Sequence, residues 1–313
     1  MIWANLLHLS YNMWGDWDRP GTVSPYYNGK PFLRFDDRLW DELIPAMSEA
    51  GLNCVVLDLG DGVVYDSHPE IAVTGAWSRE RLRKELARLR DAGLEPIPKL
   101  NFSAGHDYWL GPYARMVSSE PYYKVCADLI AEVIDLFDKP RFFHLGMDEE
   151  QAKHQTKFEY AVVRQYGLWW HDFRFLVKQV EDKGLRAWVW SDYVWEHPEL
   201  FYENMPRTVL QSNWYYGADF GDAVKGATTY RDLEVHGYDQ VPTLSNWHTP
   251  DNITKTIEYC RKHVAPERLK GFLLAAWRPT LFETRDRHLN AIQHFGRAIA
   301  ADKSEINRNT GDK

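Results

Sequence analysis

Cysteine is scarce in this chain: Cys54, Cys126 and Cys260 are spread over 313 residues. So few scattered thiols exclude a disulfide framework and a Cys-rich metal site. Cys54 and Cys126 fall in apolar strand or helix patterns and read as core thiols. No basic run occurs and the net charge is -8, which argues against nucleic acid or an anionic membrane as the main partner. No apolar run approaches the length of a membrane span. Met1-Ile2-Trp3-Ala4-Asn5 lacks the charged, then apolar, opening of a signal peptide. The chain as given is therefore expected to be cytoplasmic, and periplasmic or secreted only if a leader has been trimmed. No His-Glu-x-x-His helix or other tight ligand spacing marks a metal centre, although His106-Asp107 and His248 are present. Neither a metal nor a cofactor is expected.

What the chain does have is aromatic residues: 14 Trp, 17 Tyr and 14 Phe. Position carries more than number, because many of the Trp residues follow short apolar runs. Trp14 follows Leu6-Leu7-His8-Leu9, Trp190 closes Ala187-Trp188-Val189-Trp190, and Trp214 follows Val209-Leu210-Gln211. Trp247 follows Thr243-Leu244-Ser245, and Trp277 follows Leu273-Leu274-Ala275. Rigid flat rings at strand ends suit the apolar faces of sugars. The competing reading is barrel core, against which stands the bulk of Trp beside the Val, Ile and Leu that dominate such cores.

Strand and helix patterns alternate almost without interruption. Strands are expected at 5–10, 53–59, 94–101, 141–147, 185–191, 208–213, 241–245 and 271–276. Amphipathic helices are expected at about 37–50, 78–92, 119–137, 157–183, 226–236, 252–263 and 285–300. Several helices run into a Gly before the next strand, as at Gly51, Gly93 and Gly184, where a left-handed residue is needed. This order predicts parallel pairing and a single (β/α)8 barrel over 1–301, with a polar C-terminal tail at 302–313. An open doubly wound sheet would announce a Gly-rich loop after its first strand, and Ser10-Tyr11-Asn12-Met13-Trp14 is not one.

In such a barrel the loops leaving the C-terminal strand ends build the active site. They gather Asn12 and Trp14, Asp58 and Asp61, Asn101, His106 and Asp107, then His144, Asp148 and Glu149. From the later strands come Trp190 and Asp192; Trp214, Tyr215, Tyr216 and Asp219; Asn246, Trp247 and His248; and Trp277 with Arg278. The densest stretch is Phe142-Phe143-His144-Leu145-Gly146-Met147-Asp148-Glu149-Glu150. Strand alternation would put His144, Gly146 and Asp148 on one face. Clustered acids repel and lose solvation when buried, so Glu149 is expected to titrate above the ordinary value of about 4.3, as a general acid needs. His144 has two readings: it ties Asp148 or a neighbouring loop in place, or it is a satisfied core histidine.

His144-Leu145-Gly146-Met147-Asp148-Glu149 resembles the His-x-Gly-x-Asp-Glu motif of the beta-N-acetylhexosaminidases, glycoside hydrolase family twenty. Ser67-His68-Pro69-Glu70-Ile71 with Gly75-Ala76-Trp77 is similar to that family's stretch after the second strand. Pro96-Ile97-Pro98-Lys99-Leu100-Asn101, followed by Gly105-His106, resembles its segment after the third. The likeness covers roughly 36–150 well and the later strands only through their terminal tryptophans. It implies a carbohydrate-binding hydrolase that removes a terminal N-acetylhexosamine or related hexose from a glycoside. In that family Glu149 would be the general acid/base, and Asp148 would orient the substrate's own 2-acetamido group as nucleophile. The substrate-binding set would be His106, His144, Trp190, Asp192, Trp214, Tyr215, Tyr216, Trp247, Trp277 and Arg278. Tyr215-Tyr216 with Asp219 looks like the Tyr and Asp pair that grips the acetamido group.

The departures are specific. Lys99 and Asn101 stand where the family has Glu and Asp, Asn12 is offered where it has a sugar-binding Arg, and the family's small domain before the barrel is not expected. A substrate without a 2-acetamido group would need a base such as Asp192, Asp58 or Asp61. The alternatives from other classes are a non-catalytic carbohydrate-binding barrel and a sugar isomerase or epimerase. The sequence leaves oligomeric state open.

Overall fold

The computed structural model describes residues 1–15 and 26–311. Eight strands form one sheet: β1 (Ile2–His8), β2 (Cys54–Asp58), β3 (Glu95–Lys99), β4 (Phe142–His144), β5 (Arg186–Trp190), β6 (Leu210–Ser212), β7 (Thr243–Leu244) and β8 (Gly271–Ala275). All the ladders are parallel and β1 pairs with both β2 and β8, so the sheet curls on itself. Between β6 and β7 there is no continuous ladder. Single parallel bridges at Gln211 with Gln240 and at Trp214 with Thr243 close the gap, with Thr243 N–H donating to the Asn213 carbonyl at 2.9 Å. This is a single (β/α)8 barrel, as the alternation predicts.

The helices follow from the local sequence. Ser78 and Ser119 accept from the N–H of Arg81 and Tyr122, capping helices Arg79–Asp91 and Glu120–Leu136. Gly51 and Gly184 take φ of +81 and +80 where those helices' neighbours turn back toward the next strand. Two expectations change. The helix expected over 157–183 begins only at Tyr166, because Ala152–Gln155 forms a short helix of its own and an irregular segment follows. The polar stretch expected as a tail continues the final helix, Arg285–Gly311.

Two cores result. Trp3, Leu7, Val55, Leu57 and their equivalents pack outward against the helices. Ile2, Ala4, Leu6, Cys54, Val56, Ile97, Phe142, Trp188, Trp190, Leu210, Leu273 and Ala275 fill the barrel interior. Above this apolar plug the register stacks a polar layer: His8 lies beside Asp58, Asp58 beside Lys99, and Lys99 beside His144. Lys99 is wholly buried, and its ammonium sits 2.5 Å from the Asp58 carboxylate. A charge that far from water needs such a partner. The loops leaving the C-terminal strand ends stand on this layer.

Candidate active site

β4 ends at His144, two residues before the shared face expected of Gly146 and Asp148 could form. Gly146, Met147 and Glu149 take φ of +78, +71 and +54, so the chain corkscrews out of the barrel instead of alternating. At Gly146 an added Cβ would lie 2.1 Å from Asn101 Oδ1, so only glycine fits. The two non-glycine residues cost on the order of 1–3 kcal/mol each in that region. A set of hydrogen bonds offsets this. Gly146 N–H donates to His144 Nδ1 at 3.1 Å, Asp148 N–H to Ser103 Oγ at 2.8 Å, and Glu149 N–H to Asp192 Oδ2 at 2.9 Å. His144 is therefore a buried histidine that also holds the turn carrying Asp148.

The three successive carboxylates have three different surroundings. Glu150 points inward onto buried Arg164, whose guanidinium also donates to the Phe102 carbonyl at 2.9 Å. It anchors the loop. Asp148 is buried and accepts from Asn101 Nδ2 at 3.1 Å and Ser103 Oγ at 2.7 Å. Glu149 is 40% exposed and faces open space, its Oε2 lying 3.0 Å from His106 Nε2 and 3.4 Å from His154 Nε2. His106 Nδ1 lies 3.4 Å from Asp148 Oδ1, so one imidazole spans both acids.

That bridging histidine decides the electrostatics. Burial disfavours charge on His106, but Asp148 and Glu149 outweigh it and push the imidazole up to about 10. Burial likewise pushes Asp148 and Glu149 up, and His106 reverses both, holding each below the ordinary carboxylate range. The expectation that Glu149 titrates high is thus overturned: a bonded imidazolium outweighs the neighbouring Asp. His106 Nε2 and Glu149 Oε2 stand at hydrogen-bond distance, 3.0 Å, so the two groups titrate together.

A cavity of about 310 Å³ opens over these groups. Its walls are Tyr11, Met13, Trp14, Tyr27, His106, Asp148, Glu149, Trp214, Tyr216, Trp247, His248 and Trp277. Of the four strand-end tryptophans, Trp214, Trp247 and Trp277 line it. Trp190 does not: it is buried in the barrel interior, its ring centroid 4.5 Å from that of His144 and 5.9 Å from that of Trp277. The wide interior left by Ala4 and Ala275 accommodates the indoles of Trp188 and Trp190. Tyr216 OH accepts from Trp277 Nε1 at 2.8 Å, which leaves its own proton free to donate.

Other expected residues lie behind the walls. Tyr215 turns away onto Phe220, and Asp219 is exposed, accepting from Gly221 N–H at 2.8 Å, so that pair does not face the site. Arg278 stacks over the Trp247 ring at 4.5 Å instead of lining the cavity. Asp192 is buried, with Oδ1 accepting from Trp214 Nε1 at 3.1 Å and Oδ2 from Glu149 N–H. Burial and then the Asp148 charge push it up to about 8. Asp58 is taken by Lys99, and Asp61 by Asn12 Nδ2 at 2.8 Å and the Ser10 hydroxyl. Tyr11, Met13 and Tyr27 line the cavity without having been singled out. The first two alternate with Asn12 after β1, and the alternate face was expected. His154 was also missed. Together His106, Glu149 and His154 present one ligand atom each within 4.8 Å of one another, a group that no spacing within one segment reveals.

No protein-family model and no curated protein matches this chain. Solved structures do. A family GH20 exo beta-N-acetylglucosaminidase from Vibrio harveyi, in complex with N-acetylglucosamine, superposes with a TM-score of 0.62 at 12% identity, covering 97% of this chain and 57% of that one. A beta-N-acetylhexosaminidase from Bacteroides fragilis gives 0.61 at 13% identity, covering 93% and 65%. The GH20 beta-N-acetylhexosaminidase from Streptomyces coelicolor gives 0.63 at 13% identity, covering 94% and 64%. The chain spans less than two thirds of each. At these identities the likeness is one of fold, and the barrel is of the kind the sequence resemblance implies.

Proposed function

We propose that the protein is an exo-acting glycoside hydrolase that removes a terminal N-acetylhexosamine, with Glu149 as acid/base and Asp148 as the group that orients the substrate's acetamido. One observation carries this reading. Among the described residues, the only carboxylates lining the cavity are Asp148 and Glu149, which adjoin in the chain and share the His106 imidazole. An ordinary pair of catalytic carboxyls flanks the scissile bond, about 5–5.5 Å apart for retention or 6.5–9.5 Å for inversion. Asp58, Asp61 and Asp192, the other candidate carboxylates, are buried and held by Lys99, by Asn12 and Ser10, and by Trp214 and the Glu149 N–H. The nucleophile is then left to the sugar.

The chemistry follows from that placement. The acetamido carbonyl oxygen attacks the anomeric carbon while the glycosidic C–O bond breaks, and the departing oxygen takes, through Glu149, the proton that the His106 imidazolium holds 3.0 Å from its carboxylate. Asp148, fixed by Asn101 and Ser103, faces the acetamido N–H and stabilises the positive charge that develops on the cyclised group. Water, deprotonated by Glu149, opens the ring and restores the original anomer. The free hydroxyl proton of Tyr216 suits the acetamido oxygen, and the indoles of Trp214, Trp247 and Trp277 suit the sugar faces. A volume of about 310 Å³ lies at the small end of ligand pockets, room for one sugar ring. Terminal cleavage fits that size.

A panel of aryl glycosides with and without the 2-acetamido group tests the reading. Turnover confined to acetamido sugars, with retention at the first-formed anomer by proton NMR, is expected. Inversion on an acetamido sugar overturns substrate assistance. Sugar binding by the wild-type protein without turnover of any member identifies a carbohydrate-binding barrel instead.

A further inference from the structure

Among the described residues, His106, Glu149 and His154 form the one group of three His, Cys, Asp or Glu side chains whose ligand atoms stand close enough together to hold a metal ion. Glu149 Oε2 lies 3.0 Å from His106 Nε2 and 3.4 Å from His154 Nε2, near the spacing of about 3.4 Å that tetrahedral bonds of about 2.0–2.2 Å set, and one ligand atom from each of the three residues lies within 4.8 Å of the others. The ligands come from rigidly held places. His106 follows the turn in which its N–H donates to the Ser103 carbonyl at 3.1 Å, and its ring edge meets Trp14 at a centroid distance of 5.3 Å. His154 sits in the short helix Ala152–Gln155, its ring packed on Phe158 at 5.8 Å. Glu149 is fixed through its backbone by Asp192.

A second observation sharpens the fit. His106 Nδ1 faces Asp148 Oδ1 at 3.4 Å, leaving Nε2 to point at the other two ligand atoms. A carboxylate behind the far nitrogen is the arrangement that orients metal-binding imidazoles and strengthens them as donors. His106 and Glu149 also line the cavity, so a remaining coordination position opens toward the space a ligand would occupy.

We propose that His106, Glu149 and His154 bind one divalent transition cation of the zinc class, and that the ion switches the hydrolase off by occupying Glu149. Two imidazoles and one carboxylate suit Zn²⁺, Co²⁺ or Ni²⁺, not the all-oxygen shells of Ca²⁺ and Mg²⁺. The inhibition rests on Glu149 being the acid; the binding does not. The ion displaces to solvent the proton that His106 carries toward Glu149, and with Oε2 on the metal that oxygen neither passes a proton to the glycosidic oxygen nor takes one from water. A removable ion would thus set how much of the enzyme is competent.

The test uses the full chain stripped with chelator. Calorimetric titration with Zn²⁺ is expected to show one equivalent. Titration with Co²⁺ should give the visible d–d bands of a four- or five-coordinate nitrogen and oxygen site, without the thiolate charge-transfer band that a cysteine ligand would add. His154→Gln and His106→Gln should each weaken Zn²⁺ by more than the roughly 10–100-fold that loss of a partner behind a ligand costs, and Asp148→Asn by about that amount. Circular dichroism checks that each variant is folded, and Glu149→Gln supplies an independent ligand deletion. Absence of a saturable equivalent, or one that survives both His154→Gln and Glu149→Gln, overturns the site. On a cleaved glycoside, Zn²⁺ should inhibit and chelator restore activity; full activity with the site occupied overturns the switch. Binding without any cleaved glycoside would retire the hydrolase reading and keep the site, and cleavage without binding would do the reverse.

Discussion

The loops after β3 and β4 bring the two carboxylates and His106 to the cavity, whereas those after β6, β7 and β8 bring chiefly rings. The two halves are held by different physics. On the charged side the acids are held by partners at fixed distances, Asn101 and Ser103 under Asp148 and Arg164 under Glu150, because a buried charge misplaced by an ångström loses its compensation. On the aromatic side Trp214 stacks on Tyr216 at 5.4 Å and Trp277 leans on Trp190, held by area with few bonds. The charged half is built to act at one atom, the aromatic half to hold a surface. Substitutions should therefore divide cleanly, with kcat falling on one side and KM rising on the other.

The sharpest way to break that division is Glu149→Gln. On an acetamido glycoside with a poor leaving group, kcat should fall by about 10²–10⁴-fold while ligand affinity stays near wild type. Steady-state kinetics beside calorimetry with a product sugar checks it, and a loss confined to KM would put Glu149 in the wrong half. Asp148→Asn should cost about 10²–10³-fold in kcat, the range for removing one preorganised stabiliser of developing charge. Equal rates on acetamido and non-acetamido substrates in that variant would sever Asp148 from the acetamido group. On the aromatic side Tyr216→Phe keeps the ring and loses one hydrogen bond, worth about 0.5–1.5 kcal/mol or roughly two- to twelve-fold in kcat/KM. Should that variant match Glu149→Gln in size, the contrast between the halves collapses.

The smallest effect lies outside both halves. Burial pushes Asp61 up to about 6, against bonds from Ser10 and Asn12. A carboxyl whose folded value is raised favours folding in its protonated form. Its stabilising contribution is full below the ordinary value of 3.8 and is lost as pH rises through about 6. Asp61→Asn should flatten the dependence of Tm on pH across that window and leave it unchanged above. An unaltered slope would show that the local bonds, not burial, govern Asp61.

Much of this was legible beforehand, and the parts that were not share a cause. Short apolar runs alternating with period-3.6 patterns placed all eight strands, because strands covered on both faces are apolar almost throughout. The carboxylate pair was legible because both members are neighbours in one motif. Trp214, Trp247 and Trp277 were legible as strand ends. Trp190 was misread because position at a strand end does not say whether the side chain points into the barrel or over it. The high titration expected of Glu149 failed for a related reason: the opposing charge comes from His106, 43 positions away in sequence. His154 fell between the strand read at 141–147 and the helix read at 157–183, and its approach to His106 and Glu149 depends on a fold in which the loops after β3 and β4 meet. Local pattern gives elements; it does not give encounters between loops.

The layer beneath the cavity constrains how such a site can change over generations. Lys99 and Asp58 neutralise each other out of reach of water. Losing either alone strands a buried charge at a cost of about 3–5 kcal/mol, while replacing both with apolar residues of similar volume is often close to neutral. The total stability of a domain is about 5–15 kcal/mol, so the single-step intermediates sit near the edge of folding. A lineage or an engineer moving this barrel toward a carboxylate at position 99 must alter position 58 in the same stride. The two positions are inherited as one character, and the cavity floor above them changes only as fast as that double change allows.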